Sequence, residues 1–132
     1  MKRIILISLF VLFCSLQERV ELVETWHSDS CVTGEFKDTA VVDVWVEGML
    51  VHVIHYNAYL NCCLDDIAVR VKFVGRVIEV HEHEIVETPC DCLCPFNIVY
   101  TLRVPSPGEY VLKIYTEDRL VYVTTIFILG MY

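Results

Sequence analysis

Apolar and polar residues alternate along most of the chain, which is the pattern of β-strands that bury one face. The clearest example is the segment 67–73, in which Arg70 and Lys72 separate apolar neighbours. The apolar positions of that segment are Ile67, Val69, Val71 and Phe73. We predict that these four side chains face a core and that the two basic side chains face solvent.

Similar runs recur along the chain, separated by turn-forming residues such as Gly48, Gly75 and the segment 105–108. The predicted strands span residues 41–46, 49–59, 67–73, 77–88, 96–103, 110–116 and 120–129. Sustained helical spacing is missing, and Val, Ile, Thr and Tyr are abundant. The sequence therefore predicts an all-β fold, an antiparallel β-sandwich of seven to eight strands.

The first sixteen residues have the character of an export leader. Lys2 and Arg3 precede an apolar run from residue 4 to residue 13, the length of a signal-peptide core and too short to span a bilayer. We expect residues 1–16 to be a signal peptide or a lipoprotein-type leader and residues 17–132 to form one domain. Cys14 is a candidate for a lipid anchor, although Phe13 stands where bacterial lipoproteins carry a small residue. The expected location is secreted, periplasmic or cell-envelope, with membrane contact only through the leader or this anchor.

The charge balance restricts the partners. Ten Lys and Arg residues oppose 18 Asp and Glu residues, a formal net charge of −8. Nucleic-acid binding depends on a basic surface that displaces counterions from phosphates, and anionic lipid head groups also attract basic surfaces. We therefore exclude nucleic acid and expect an unidentified protein or small ligand as the partner.

A local resemblance refines the expected fold. Pro107-Gly108 is followed by Tyr110 and alternating apolar residues, and the segment 104–114 resembles a strand entry found in many bacterial extracellular immunoglobulin-like domains. The resemblance implies that Pro-Gly forms a turn and that Tyr110 packs at the edge of the sandwich. It implies an immunoglobulin-like β-sandwich, without the Cys–Trp–Cys framework of antibody domains.

The cysteines are the most unusual feature of the sequence. Six follow the leader: Cys31, Cys62, Cys63, Cys90, Cys92 and Cys94. An even number of cysteines in an exported domain predicts a disulfide framework. On a strand, adjacent Cys62 and Cys63 face opposite sides, so we expect them to choose different partners. The N-C-C and C-x-C-x-C pattern resembles a cysteine-rich type of small secreted bacterial protein.

A metal centre is the alternative interpretation of the same cluster. Residues i, i+2 and i+4 of a strand share a face, so Cys90, Cys92 and Cys94 would project together. Clustered thiolates are ligands for Zn²⁺ or Cu⁺. The candidate ligands are Cys62, Cys63, Cys90, Cys92, Cys94 and His55.

A second candidate metal site involves histidines. His81 and His83 share one face of a strand, and together with Gly75 and Glu87 they resemble the first cupin motif, a metal-binding signature on a β-barrel. The resemblance implies metal ligation by His81, His83 and Glu87 and a metal-dependent enzyme. Cys94 stands where the motif ends in Gly, and no histidine follows His83. The alternative is a solvated strand face.

These observations favour a secreted or envelope-associated structural or binding module that is stabilised by disulfides and needs no cofactor. We expect no enzyme, because no cysteine stands beside a base in a recognisable nucleophile motif. The alternatives are a Zn or Cu protein that uses the cysteine cluster and a cupin-like metal-dependent enzyme.

Overall fold

The computed structural model describes residues 18–29, 31 and 40–130. The predicted leader, including Cys14, lies outside these residues. The described residues form eight strands: β1 Glu21–His27, β2 Val41–Glu47, β3 Leu50–Asn61, β4 Asp66–Val74, β5 Val77–Ile85, β6 Leu93–Arg103, β7 Gly108–Thr116 and β8 Arg119–Ile128. Within these ranges, no helix is long and apolar enough to cross a membrane.

The strands form two four-stranded sheets that pack as a sandwich. Sheet A has the order β1-β6-β3-β2 and sheet B the order β4-β5-β7-β8. All neighbours are antiparallel except β5 and β7, which pair in parallel. The parallel pair arises because the chain leaves sheet B after β5, runs back through β6 in sheet A and returns as β7. The predicted all-β sandwich is confirmed, with this one parallel pair as a difference.

The core lies between the sheets, and the predicted strand faces are confirmed there. Ile67 on β4 is buried, whereas Arg70 and Lys72 are exposed. The aliphatic side chains with no exposed surface are Val51, Val53, Ile78, Val80, Ile98, Leu102, Leu112 and Ile114. These positions alternate along β3, β5, β6 and β7, so each strand contributes one face to the core.

Two of the chain's crossings between the sheets lie at the same end of the sandwich. The segment 62–65 carries the chain from β3 to β4, and the segment 86–92 carries it from β5 to β6. At the other end, Gly48 and Gly75 turn the β2–β3 and β4–β5 hairpins with φ of 61° and 62°, the left-handed region that favours glycine. The first end contains the cysteines and is described next.

Candidate functional site

Three disulfides lie at the end where the two crossings meet. They join Cys31 to Cys94, Cys62 to Cys92 and Cys63 to Cys90. Their Cα–Cα distances are 5.5, 5.7 and 5.6 Å, within the range of protein disulfides. Two of the bonds link the β3–β4 crossing to the β5–β6 crossing, and the third ties the β1–β2 connection to β6. We call this region the stapled end.

Asn61 links the same two crossings by hydrogen bonds. Its Nδ2 donates to the Cys90 carbonyl at 2.9 Å, and its Oδ1 accepts from the backbone N–H groups of Cys63 at 2.9 Å and Cys90 at 3.1 Å. Its own N–H donates to Glu84 Oε2 at 2.7 Å. A buried amide with both ends satisfied fixes local geometry. Sequence reasoning noted Asn61 beside the cysteines but missed this role.

The disulfides decide what the cysteine cluster can do in this oxidised form. Metal ligation by cysteine requires the thiolate, and a sulfur atom in a disulfide is not a thiolate. All five cysteines of the candidate metal centre are paired. The sixth candidate ligand, His55, points into the core, with Nδ1 2.9 Å from Glu82 Oε1. The cluster is therefore a structural cross-link in this form.

The His55–Glu82 pair is a polar cluster inside the sandwich. His55 is 1% exposed and Glu82 has no exposed surface. Thr116 Oγ1 donates to Glu82 Oε1 at 3.1 Å, which adds a second partner for the carboxyl group. Burial, together with the nearby Glu82, raises the pKa of Tyr100 well above its ordinary value. One feature of the sequence indicates this cluster: Glu82 is two residues after Val80 and four after Ile78, so strand alternation places it on the inward face of β5.

The outer face of sheet A exposes aromatic side chains. Trp26 on β1 is 57% exposed and Trp45 on β2 is 45% exposed. Strand register places Ile54 and Val99 between them, on the same outward face. Trp45 stacks on His52, with 5.1 Å between the ring centroids and 21° between the planes. We call Trp26, Trp45, Ile54 and Val99 the aromatic face.

Carboxylates surround the aromatic face. Glu21, Glu24, Asp43 and Glu47 are exposed on the outward positions of β1 and β2. Arg103 supplies a positive charge on this face, and its guanidinium lies 3.4 Å from the Glu21 carboxylate. The face therefore combines an apolar centre with an acidic rim.

His81 and His83 lie on the outer face of sheet B, where β5 presents alternate residues to solvent. The two imidazole rings are stacked, with centroids 6.2 Å apart. Glu87 is exposed on the β5–β6 crossing and does not join them. Instead, Asp118 in the β7–β8 turn comes close, and one ligand atom from each of His81, His83 and Asp118 lies within 4.8 Å of the others.

A partly buried ion pair joins the two sheets near β1. His27 Nε2 lies 2.8 Å from Asp66 Oδ1. Burial opposes protonation of His27, but hydrogen bonds to the Ser28 carbonyl and to Asp66 outweigh it, so the pKa of His27 is raised. The same contact lowers the pKa of Asp66. No local sequence pattern indicates this pair, because the two residues are 39 positions apart.

Comparison of the chain with protein-family models, curated proteins and solved structures finds no match. The immunoglobulin-like and cupin-like resemblances therefore stay predictions. The fold and the disulfides define the class: a cysteine-rich, disulfide-stabilised β-sandwich domain.

Proposed function

We propose that the chain is an exported binding module whose disulfides hold a rigid scaffold and whose aromatic face binds a protein partner. Intramolecular disulfides are typical of oxidising extracellular and periplasmic compartments, and the Lys2-Arg3 leader pattern supports export. The observation that carries the binding function is the exposure of two tryptophans on one sheet face.

The composition of the aromatic face supports a protein as its occupant. Tryptophan is enriched in the energetically dominant centres of protein interfaces, and polar rims surround such centres. Here Trp26 and Trp45 flank Ile54 and Val99, inside a rim of four carboxylates and one arginine. Charge complementarity then calls for a partner surface with an apolar centre and a basic rim.

Export is tested on native material. We expect the protein in the medium or envelope fraction, with no cysteine alkylated before reduction and six alkylated after it if the leader has been removed. An unprocessed chain in the cytoplasm with free thiols would overturn the proposal.

Binding is tested by photo-crosslinking in the native compartment. A benzoylphenylalanine at position 43, on the outward face of β2, probes the aromatic face. The matched control places it at position 125, an exposed outward position of β8 in sheet B. We expect one defined heterologous protein adduct from position 43 and none from position 125. Trp26→Ala and Trp45→Ala should each weaken binding of the purified partner at least tenfold, and binding should weaken with added salt.

Other outcomes identify other occupants and would contradict the protein proposal. An adduct between two copies of the chain would indicate self-association. If the protein is retained on a neutral polysaccharide matrix and the Trp45→Ala variant is not, the occupant would be a glycan. Equal adduct yields from positions 43 and 125, or none from either, would remove the aromatic face as the binding surface.

A further inference from the structure

The outer face of sheet B holds two imidazoles in a fixed arrangement. His81 and His83 are two residues apart on β5, and their rings are nearly parallel, with 14° between the planes. Tyr115, the partner of His81 on β7, stacks on the His81 ring at 4.7 Å with an interplanar angle of 2°. This stacking limits rotation of the ring. The donor nitrogens are therefore positioned before any ligand arrives.

The β7–β8 turn brings carboxylates to the same place. Glu117 and Asp118 form its two central positions, and both have positive φ, 47° and 63°. Left-handed backbone is unusual for residues other than glycine, and a two-residue hairpin turn of type I′ requires it at both central positions. The turn places Asp118 Oδ1 3.7 Å from His83 Nε2 and Glu117 Oε1 3.8 Å from His83 Nδ1. Both distances exceed a hydrogen bond, so these contacts leave the His83 nitrogens available.

The distances between the candidate ligand atoms are close to those in a metal site. One ligand atom each from His81, His83 and Asp118 lies within 4.8 Å of the others. Nitrogen and oxygen ligands at about 2.0–2.1 Å around tetrahedral Zn²⁺ are roughly 3.3 Å apart. Small side-chain rotations therefore bring the three donors onto one ion. The neighbouring cations lie beside the site and not among its donors: Arg70 is opposite His81 on β4, and Lys72 and Lys113 are opposite Glu79 on β4 and β7.

We propose that His81, His83 and Asp118 bind one divalent transition-metal ion, Zn²⁺ or Cu²⁺, on the outer face of sheet B. Two imidazoles and one carboxylate suit these ions, whereas Ca²⁺ and Mg²⁺ prefer sites built from oxygen alone. Glu79 supports the site from outside the ligand set, because its Oε2 lies 3.4 Å from His81 Nε2 and can orient that ring. Three protein ligands leave a coordination position for water or for a partner's side chain.

The test uses the natively processed protein with its disulfides intact and without an affinity tag, since a polyhistidine tag would itself bind the metal. Titration with Zn²⁺ in a calorimeter should show one site. His83→Ala should raise the Kd at least fiftyfold and Asp118→Asn about tenfold. The matched control, His52→Ala, removes a half-buried histidine from sheet A and should leave the Kd unchanged.

A spectroscopic measurement reports on the ligands directly. One equivalent of Cu²⁺ should give an electron paramagnetic resonance spectrum with hyperfine structure from two nitrogens, reduced to one nitrogen in His81→Ala. Circular dichroism shows whether each variant retains the fold, and an unfolded His83→Ala is replaced by His83→Gln. Absence of saturable 1:1 binding, or equal binding by wild type and the His83 variant, would overturn the proposal.

Discussion

The stapled end predicts that its three disulfides contribute very unequally to stability. Cys31 and Cys94 are 63 residues apart in sequence, but the Cys62–Cys92 bond lies inside that loop and shortens the path between them to about 35 residues. In the chain-entropy treatment, a loop of that length destabilises the unfolded chain by about 4 kcal/mol relative to the open chain. Cys63 and Cys90 are 27 residues apart, which alone would give about 3.5 kcal/mol.

The Cys63–Cys90 bond, however, lies inside the loop closed by Cys62–Cys92. With the outer bond in place, the inner bond closes only the small ring made by residues 62, 63, 90, 91 and 92. Closing a ring of about five residues is worth only about 2 kcal/mol in the same treatment. Removal of the inner bond should therefore cost roughly half as much as removal of Cys31–Cys94.

The assay is urea unfolding of two double variants, Cys31→Ala/Cys94→Ala and Cys63→Ala/Cys90→Ala, with intact mass confirming the remaining disulfides. We expect losses of about 4 and about 2 kcal/mol, and a larger m-value for each variant because its unfolded chain is less constrained. Equal losses, or a larger loss from the inner pair, would refute this account of nested loops.

Two further predictions concern titratable groups. Glu82→Ala leaves His55 buried without its carboxylate and should cost about 3–5 kcal/mol, whereas replacing both residues by leucine should cost much less; urea unfolding compares the two. For the His27–Asp66 pair, the raised pKa of His27 means that its contribution is complete below the unfolded value of 6.5 and is lost as pH rises through the folded-state pKa. The lowered pKa of Asp66 means that the contribution is also lost as pH falls from 3.8 through its folded-state value. The stability difference between wild type and Asp66→Asn should therefore be largest between about pH 4 and pH 6.5, and a difference independent of pH would contradict the pairing.

Much of the fold can be predicted from the sequence, because the alternation of apolar and polar residues in a half-buried strand is a local property. Seven of the eight strands coincide with runs of alternating residues, including β4 with its exposed Arg70 and Lys72. Strand β1 was missed, since six of its seven residues are exposed and no alternation marks its face. The parallel pairing of β5 and β7 was missed because it depends on β6 joining the other sheet, and strand alternation does not show to which sheet a strand belongs.

The candidate sites are less readable, because they join residues that only the tertiary fold brings together. Cys62 and Cys63 have different partners, Cys92 and Cys90, as expected for adjacent residues of a strand. Both lie in the turn after β3, which ends at Asn61, so the turn and not strand alternation sets the pairing. Asp118 is a different case: its approach to His83 depends on β7 lying beside β5, which no local pattern encodes. For the same reason, no local pattern shows that Asp118, and not Glu87, lies close to the two histidines.

The most direct test of the stapled scaffold is a peptide map of the native protein, digested without reduction and with free thiols blocked. We expect a peptide linking Cys31 to Cys94, together with a connected fragment in which Cys62 is joined to Cys92 and Cys63 to Cys90. We also expect no blocked thiol among these six residues. Free Cys90, Cys92 and Cys94 in protein from its native compartment, or a different pairing of Cys31, would contradict the stapled scaffold.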